Sequence, residues 1–87
     1  QAVALNNLAW LLLTVPDEKL RNRGRALELA EKAVALERSP VFLDTLAEAY
    51  YANGRTEEAV RAIQEAISLA TENVAYYRDQ LKKVTGK

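Results

Sequence analysis

The chain of 87 residues contains no cysteine and no histidine. The first absence excludes disulfide bonds and thiolate chemistry, and the second excludes imidazole catalysis and the usual zinc sites. Neither absence identifies the compartment, so a cytoplasmic and a periplasmic location are equally compatible with the sequence. No side chain is placed by its spacing to activate a nucleophile, and we predict no catalytic residues, no metal site and no cofactor.

The chain also lacks a surplus of one charge and a long apolar run. Lysine and arginine together number 12, and so do aspartate and glutamate, so no overall field attracts nucleic acid or anionic lipid. The longest apolar run, Leu8 to Leu13, is far shorter than the roughly 20 residues of a membrane span. We therefore predict no nucleic-acid partner and no membrane insertion. Because the sequence starts at Gln1 without methionine, we also expect a fragment or a processed form.

Apolar residues make up 49% of the chain and recur at helical spacings of three and four. Helix-ending or helix-starting signals interrupt this pattern at Val15-Pro16, Ser39-Pro40, Asn53-Gly54, Thr56 and Thr71. Ser39, Thr56 and Thr71 are the predicted N-caps, and residues 16–23 form a long connection with a weak helical turn. These signals predict five helices in one domain, antiparallel in succession because most connections are short.

Two pairs of these helices share one spacing of apolar and small residues. At one constant offset along the chain, Ala26, Ala30, Ala33 and Leu36 superpose on Ala59, Ile63, Ala66 and Leu69. At a second, longer offset, Leu5, Leu8, Ala9 and Leu12 superpose on Leu43, Leu46, Ala47 and Tyr50. The two offsets differ by five, so the first copy carries an insertion between its helices, at about residues 15–23.

This pattern resembles the tetratricopeptide repeat, a helical hairpin of about 34 residues. The resemblance implies an all-α fold: a right-handed α-solenoid of two tetratricopeptide-like hairpins plus a C-terminal capping helix, five antiparallel helices in all. It places the first repeat at 1–38, the second repeat at 40–70 and the capping helix at 71–85. The runs at 6–12 and 43–47 look like bacterial repeat arrays, which suggests a C-terminal fragment of such an array.

In arrays of this kind the first helix of each hairpin lines a concave surface that binds partner proteins. The resemblance therefore implies a peptide-binding groove lined by Val3, Asn6, Trp10, Leu13, Asp44, Glu48 and Tyr51. Asp44 and Glu48 favour a basic ligand with an apolar anchor, and they disfavour a C-terminal carboxylate. Two roles stay open for Trp10: contact with the ligand, or packing against a missing upstream repeat, the second helix or another copy of the chain.

Other interpretations compete with peptide binding. The chain is alternatively a structural segment of a longer repeat protein without a separate ligand, or a homo-oligomer formed through its uncapped, apolar N-terminal helix. Lys19, Arg21, Arg23 and Arg25 either bind an anionic group or are ordinary solvated charges. An acid–base or metal-binding role for Asp44 and Glu48 is disfavoured, since carboxylates four residues apart are common on helix surfaces. We therefore predict that the chain is not an enzyme.

Overall fold

The computed structural model describes residues 1–86 and contains five α-helices, with no strand among those residues. The helices are α1 (Ala2–Thr14), α2 (Arg23–Leu36), α3 (Pro40–Ala52), α4 (Thr56–Leu69) and α5 (Val74–Thr85). The predicted all-α fold of helical hairpins is confirmed.

The helices pack as two hairpins with a fifth helix against the second hairpin. α1 contacts α2, and α3 contacts α4; the hairpins meet where α3 packs on both α1 and α2. α5 repeats that arrangement, since it packs on α4 and on α3. As a result α1, α3 and α5 are successive neighbours along one side of the molecule.

Small side chains allow these helices to approach closely. Ala47, Ala59 and Ala66 are buried, as are six further alanines that include Ala9 and Ala30. The largest fully buried side chains are Leu43 of α3 and Ile63 of α4, which lie within the hairpin contact. Burial of apolar area at this contact is the main source of stability, at about 25 cal/mol per Å².

The boundaries of α3 follow from its end residues, as the sequence predicted. The Ser39 hydroxyl accepts a hydrogen bond from the backbone N–H of Phe42 at 3.4 Å, and Pro40 is the first helical residue. At the other end Gly54 adopts φ of +76°, a conformation that glycine tolerates without steric cost. The tight turn that results directs the chain into α4.

Two of the three predicted N-caps are wrong. Thr56 is the first residue of α4, and Arg55 precedes it as the cap; the Arg55 carbonyl accepts the first helical hydrogen bond, from Ala59 at 3.0 Å. Thr71 lies in the connection, and α5 begins three residues later than predicted, after Asn73. Asn73 has φ of +60°, a left-handed conformation that asparagine tolerates better than most residues, and this turn delays the helix.

The long connection between α1 and α2 is ordered by local hydrogen bonds. It contains a 3-10 turn at Glu18–Leu20, where the Asp17 side chain accepts from the backbone N–H of Lys19 at 3.0 Å. The Asn22 N–H donates to the Leu12 carbonyl at 3.2 Å, which ties the end of the connection back to α1. Asn22 also caps α2, since its side chain accepts from the Arg25 N–H at 3.0 Å.

Candidate functional site: a groove between α1, α3 and α5

A groove of about 810 Å³ opens between α1, α3 and the first part of α5, and we call it the central groove. Its lining is Asn6, Asn7, Trp10, Leu11 and Thr14 from α1, Val41, Asp44 and Thr45 from α3, and Asn73, Tyr76 and Tyr77 at the start of α5. Among residues 1–86, Asp44 is the one charged side chain in this lining.

The α1 wall of the central groove is apolar at its rim and polar at its base. Trp10 is 38% exposed and Leu11 is 57% exposed, so both offer apolar surface to a ligand. Asn6 lies one turn before Trp10 on the same helix face and is only 7% exposed. Its amide oxygen is buried and has no hydrogen-bond partner within residues 1–86.

Asp44 links the α3 wall to α5. Its carboxylate is 7% exposed and accepts a hydrogen bond from the Tyr76 hydroxyl at 3.3 Å. Gln80 donates in turn to the Tyr76 hydroxyl oxygen, also at 3.3 Å. A buried carboxylate therefore meets the groove, and two polar side chains, Tyr76 and Gln80, are hydrogen-bonded behind it.

Burial shifts the pKa values of Asp44 and Tyr76. Loss of hydration raises the pKa of Asp44 above the usual value for an aspartate, although hydrogen bonds from Tyr76 and Gln80 partly oppose this effect. Burial also raises the pKa of Tyr76, and the neighbouring Asp44 carboxylate raises it further. Tyr76 therefore stays a neutral hydrogen-bond donor to Asp44.

The two tyrosines at the start of α5 have different roles. Tyr77 is 4% exposed and belongs to the buried stripe of α5. Tyr76 is 49% exposed and presents its ring at the groove, where it meets Tyr77 edge to face at 5.4 Å between ring centroids. Tyr77 thus fixes the helix that carries Tyr76.

Three of the seven sequence-predicted site residues line the central groove together: Asn6, Trp10 and Asp44. Glu48 and Tyr51 lie elsewhere on α3, beside Lys83 of α5. The Lys83 ammonium donates to both carboxylate oxygens of Glu48, at 2.7 and 2.9 Å, and lies 5.8 Å from the centre of the Tyr51 ring. The Glu48 charge is therefore already compensated within the fold.

The remaining two predicted residues, Val3 and Leu13, are also absent from the groove lining. Val3 is exposed near the start of α1, while Leu13 is partly buried against the hydrophobic core. Leu13 lies two turns after Asn6, but there its side chain packs against the core and does not line the groove.

The basic residues of the first connection form no anion-binding cradle within residues 1–86. Arg21 donates to the Val15 carbonyl at 2.8 Å and lies 3.6 Å from Glu18, which Arg23 also approaches to 3.9 Å. Arg25 pairs with Glu28 at 3.3 Å. Each guanidinium has an acidic neighbour, so the contacts favour the interpretation of these arginines as ordinary surface charges.

Across the part of the chain that the structure describes, no group of three acidic side chains is placed to hold a metal ion. None of the helices described there has both the length and the apolar content needed to cross a membrane.

The family model for the tetratricopeptide repeat matches residues 40–73, which cover α3, α4 and the connection to α5. Residues 40–73 of the chain therefore form a tetratricopeptide repeat. Such repeats generally mediate protein–protein interactions, and the family consists typically of non-enzymatic scaffolds. Comparisons with curated proteins and with solved structures gave no significant match.

Sequence reasoning missed the contribution of α5 to the central groove. A signal was present: Tyr77, Leu81 and Val84 follow Leu43, Ala47 and Tyr50 at one constant offset, which equals the length of one repeat. Aligned in this way, α5 corresponds to the first helix of a further unit and packs on α3 as α3 packs on α1. That alignment would have predicted that α5 borders the groove.

Proposed function

We propose that this tetratricopeptide repeat protein is an interaction module whose central groove binds an extended segment of a partner protein. The observation that carries the proposal is the groove of about 810 Å³ with two half-exposed aromatic rings, Trp10 and Tyr76, on its walls. This volume falls within the roughly 300–1,000 Å³ typical of ligand sites. Tryptophan and tyrosine are also the residues that most often anchor protein interfaces.

The apolar part of the groove favours an apolar anchor on the partner. Leu11 and Val41 are both more than half exposed and lie on opposite walls of the groove, one on α1 and one on α3. A leucine, phenylalanine or similar side chain between them would remove apolar surface of both from water. Of the two predicted carboxylates, Asp44 is the one that we propose recognises a charged group of the ligand, because Glu48 is paired with Lys83. A partner's C-terminal carboxylate would be repelled by Asp44, so we propose an internal or basic segment.

A selection from a random peptide library tests this proposal. Peptides enriched on the wild-type protein are measured against Trp10→Ser and against Leu69→Ser, a matched control whose leucine is exposed on α4 away from the groove. We expect Trp10→Ser to weaken binding at least about tenfold, as is usual for a central aromatic anchor, and Leu69→Ser to leave it unchanged. Peptides that bind Trp10→Ser as tightly as the wild type would contradict the proposal.

A second candidate function is self-association through the outer side of α1. Val3 and Leu8 are exposed there and do not line the central groove, and the 13 residues of α1 include no charged side chain. An apolar helix surface of this kind favours contact with another protein surface, including a second copy of the chain.

Sedimentation over a dilution series, with the Leu8→Ser variant, tests this second candidate. Leu8 is exposed on α1 but does not line the central groove, so its replacement separates self-association from peptide binding. Under this candidate the wild-type protein dissociates on dilution, while Leu8→Ser is monomeric and still binds the selected peptides. A wild-type protein that is monomeric at every concentration would exclude it.

A further inference from the structure

The base of the central groove has hydrogen-bond acceptors without matching donors. The Asn6 amide oxygen has no partner within residues 1–86, and the donors beside the Asp44 carboxylate, the Tyr76 hydroxyl and the Gln80 amide, are both neutral. Thr45 also lines this region, but its hydroxyl donates to the Val41 carbonyl at 3.3 Å and therefore does not serve as a donor to these acceptors. A buried acceptor without a donor costs free energy, and no hydrogen bond to the oxygen holds the Asn6 amide in its present orientation.

The Asn6 amide can turn its acceptor toward a ligand that brings hydrogen-bond donors. A half-turn about χ2 exchanges the positions of the amide oxygen and nitrogen, which have nearly the same shape. Asn6 lines the groove together with Asp44, so one ligand group in this region would have both side chains as neighbours.

The surroundings of these acceptors favour a cation. Within residues 1–86, the groove lining contains no lysine or arginine. Lys83 of α5 does not line the groove, and its ammonium donates to the Glu48 carboxylate at 2.7 Å. The half-exposed rings of Trp10 and Tyr76 line the same groove, and the faces of such rings attract cations. A carboxylate, an amide and two aromatic rings form a set of groups suited to a positively charged side chain.

Among the cationic side chains, arginine fits this set better than lysine. Its guanidinium group is planar, carries five N–H donors in a fixed fork and is weakly hydrated, so it can stack on a ring while donating to two acceptors. The ammonium of lysine is a compact and strongly hydrated point charge. We infer that this end of the central groove is a subsite for an arginine side chain of the partner, which donates to Asp44 and Asn6 beside Trp10 and Tyr76. The inference rests on the proposed binding function and adds the chemistry of one ligand position to it.

An NMR titration with three short peptides tests the subsite. The probes are acetyl-Leu-Arg-Leu-amide, its citrulline counterpart, which keeps the shape of arginine but has no charge, and its lysine counterpart. We expect the arginine peptide to bind about tenfold more tightly than the citrulline peptide and several-fold more tightly than the lysine peptide. We expect the indole N–H signal of Trp10 to shift on binding.

Variants of Asp44 and Glu48, the two carboxylates on α3, identify the source of the preference for arginine over citrulline. In Asp44→Asn the preference for the arginine peptide over the citrulline peptide should fall from about tenfold to about twofold or less, because the carboxylate is gone and only the aromatic rings still favour a cation. Glu48→Gln is the matched control: it removes a carboxylate that does not line the groove, and the preference for arginine should remain. The dispersion of the amide signals shows whether each variant is folded.

A third variant gives a readout that a merely structural role for Tyr76 would not produce. Tyr76→Phe keeps the ring and frees the Asp44 oxygen that the hydroxyl occupies, so the arginine peptide should bind about two- to threefold more tightly. Equal binding of the arginine and citrulline peptides to the wild type would overturn the subsite, and so would a preference that is undiminished in Asp44→Asn. The absence of shifts with all three peptides would overturn it as well. The broader proposal is judged separately, by the library peptides and Trp10→Ser.

Discussion

The helices at the two ends of the molecule, α1 and α5, border the same groove but differ in character. α1 includes no charged side chain and exposes Val3, Leu8, Trp10 and Leu11. α5 buries Tyr77 and Val84, and its other faces carry Arg78, Asp79, Lys82 and Lys83. α5 therefore presents a polar surface to water, as capping helices of repeat proteins do, whereas α1 presents an apolar one.

The difference between α1 and α5 extends to the groove itself. The α1 wall offers apolar contact through Trp10 and Leu11, while the α5 wall offers the hydroxyl and ring of Tyr76, supported by Gln80. Asp44 lies on the helix between the two walls. A ligand in the groove would thus meet apolar surface on one side and hydrogen-bonding groups on the other.

The largest effect on stability should come from removing a buried aromatic ring of α5. Removal of a partly exposed ring of α1 provides the comparison. We expect Tyr77→Ala to lower the free energy of unfolding by about 3 kcal/mol, since a buried aromatic side chain leaves a cavity. Trp10→Ala should cost less, about 2 kcal/mol, because Trp10 is already 38% exposed in the folded protein. Urea denaturation followed by circular dichroism measures both values. Equal losses would mean that Trp10 supports the fold as much as Tyr77 does.

A smaller effect, of opposite sign, is expected at the base of the α1 wall. Asn6→Leu replaces a buried amide without an oxygen partner by an apolar side chain of similar size, and should raise the free energy of unfolding by about 1 kcal/mol. Asn7→Leu is the matched control, because Asn7 is exposed and its replacement changes only helix propensity, by about 0.5 kcal/mol or less. A loss of stability in Asn6→Leu would show that the amide is satisfied in the folded protein.

The smallest of these effects is a pH dependence of the free energy of unfolding that Asp44 causes. Asp44 lies on α3, between the two walls of the groove. Burial raises the folded-state pKa of Asp44 above its unfolded value of about 3.9. The folded state therefore binds more protons between these two values, and the contribution of Asp44 to stability falls as the pH rises through this window. Asp44→Asn removes this loss, so the variant should be more stable than the wild type at pH 7, and the difference should shrink toward pH 3. Urea denaturation at both pH values measures it; a difference independent of pH would contradict the assignment.

Much of the fold could be predicted from local signals. Ser39-Pro40 and Asn53-Gly54 gave the bounds of α3 because caps and turns depend on neighbouring residues. The start of α5 could not be predicted in this way, since Thr71 is as good a capping residue as Ser39. The left-handed backbone at Asn73 that delays α5 depends on how the chain turns from α4.

The candidate site was less predictable than the fold, because its contacts join residues far apart in the chain. Helical spacing placed Asn6 and Trp10 on one face of α1, and the structure brings both to the groove. The contact of Asp44 with Tyr76 spans 32 residues, and that of Glu48 with Lys83 spans 35. Spacing within a helix carries no information about such partners, which is why Glu48 was predicted to face a ligand.

The fluorescence of Trp10, the single tryptophan, tests the central claim most directly. The protein is titrated with a library-selected peptide that contains neither tryptophan nor tyrosine, while calorimetry reports binding independently. Peptide binding in the central groove predicts a saturable shift of the emission to shorter wavelength, with the same midpoint as the calorimetric curve. Binding detected by calorimetry with unchanged Trp10 emission would contradict the claim that this groove is the binding site.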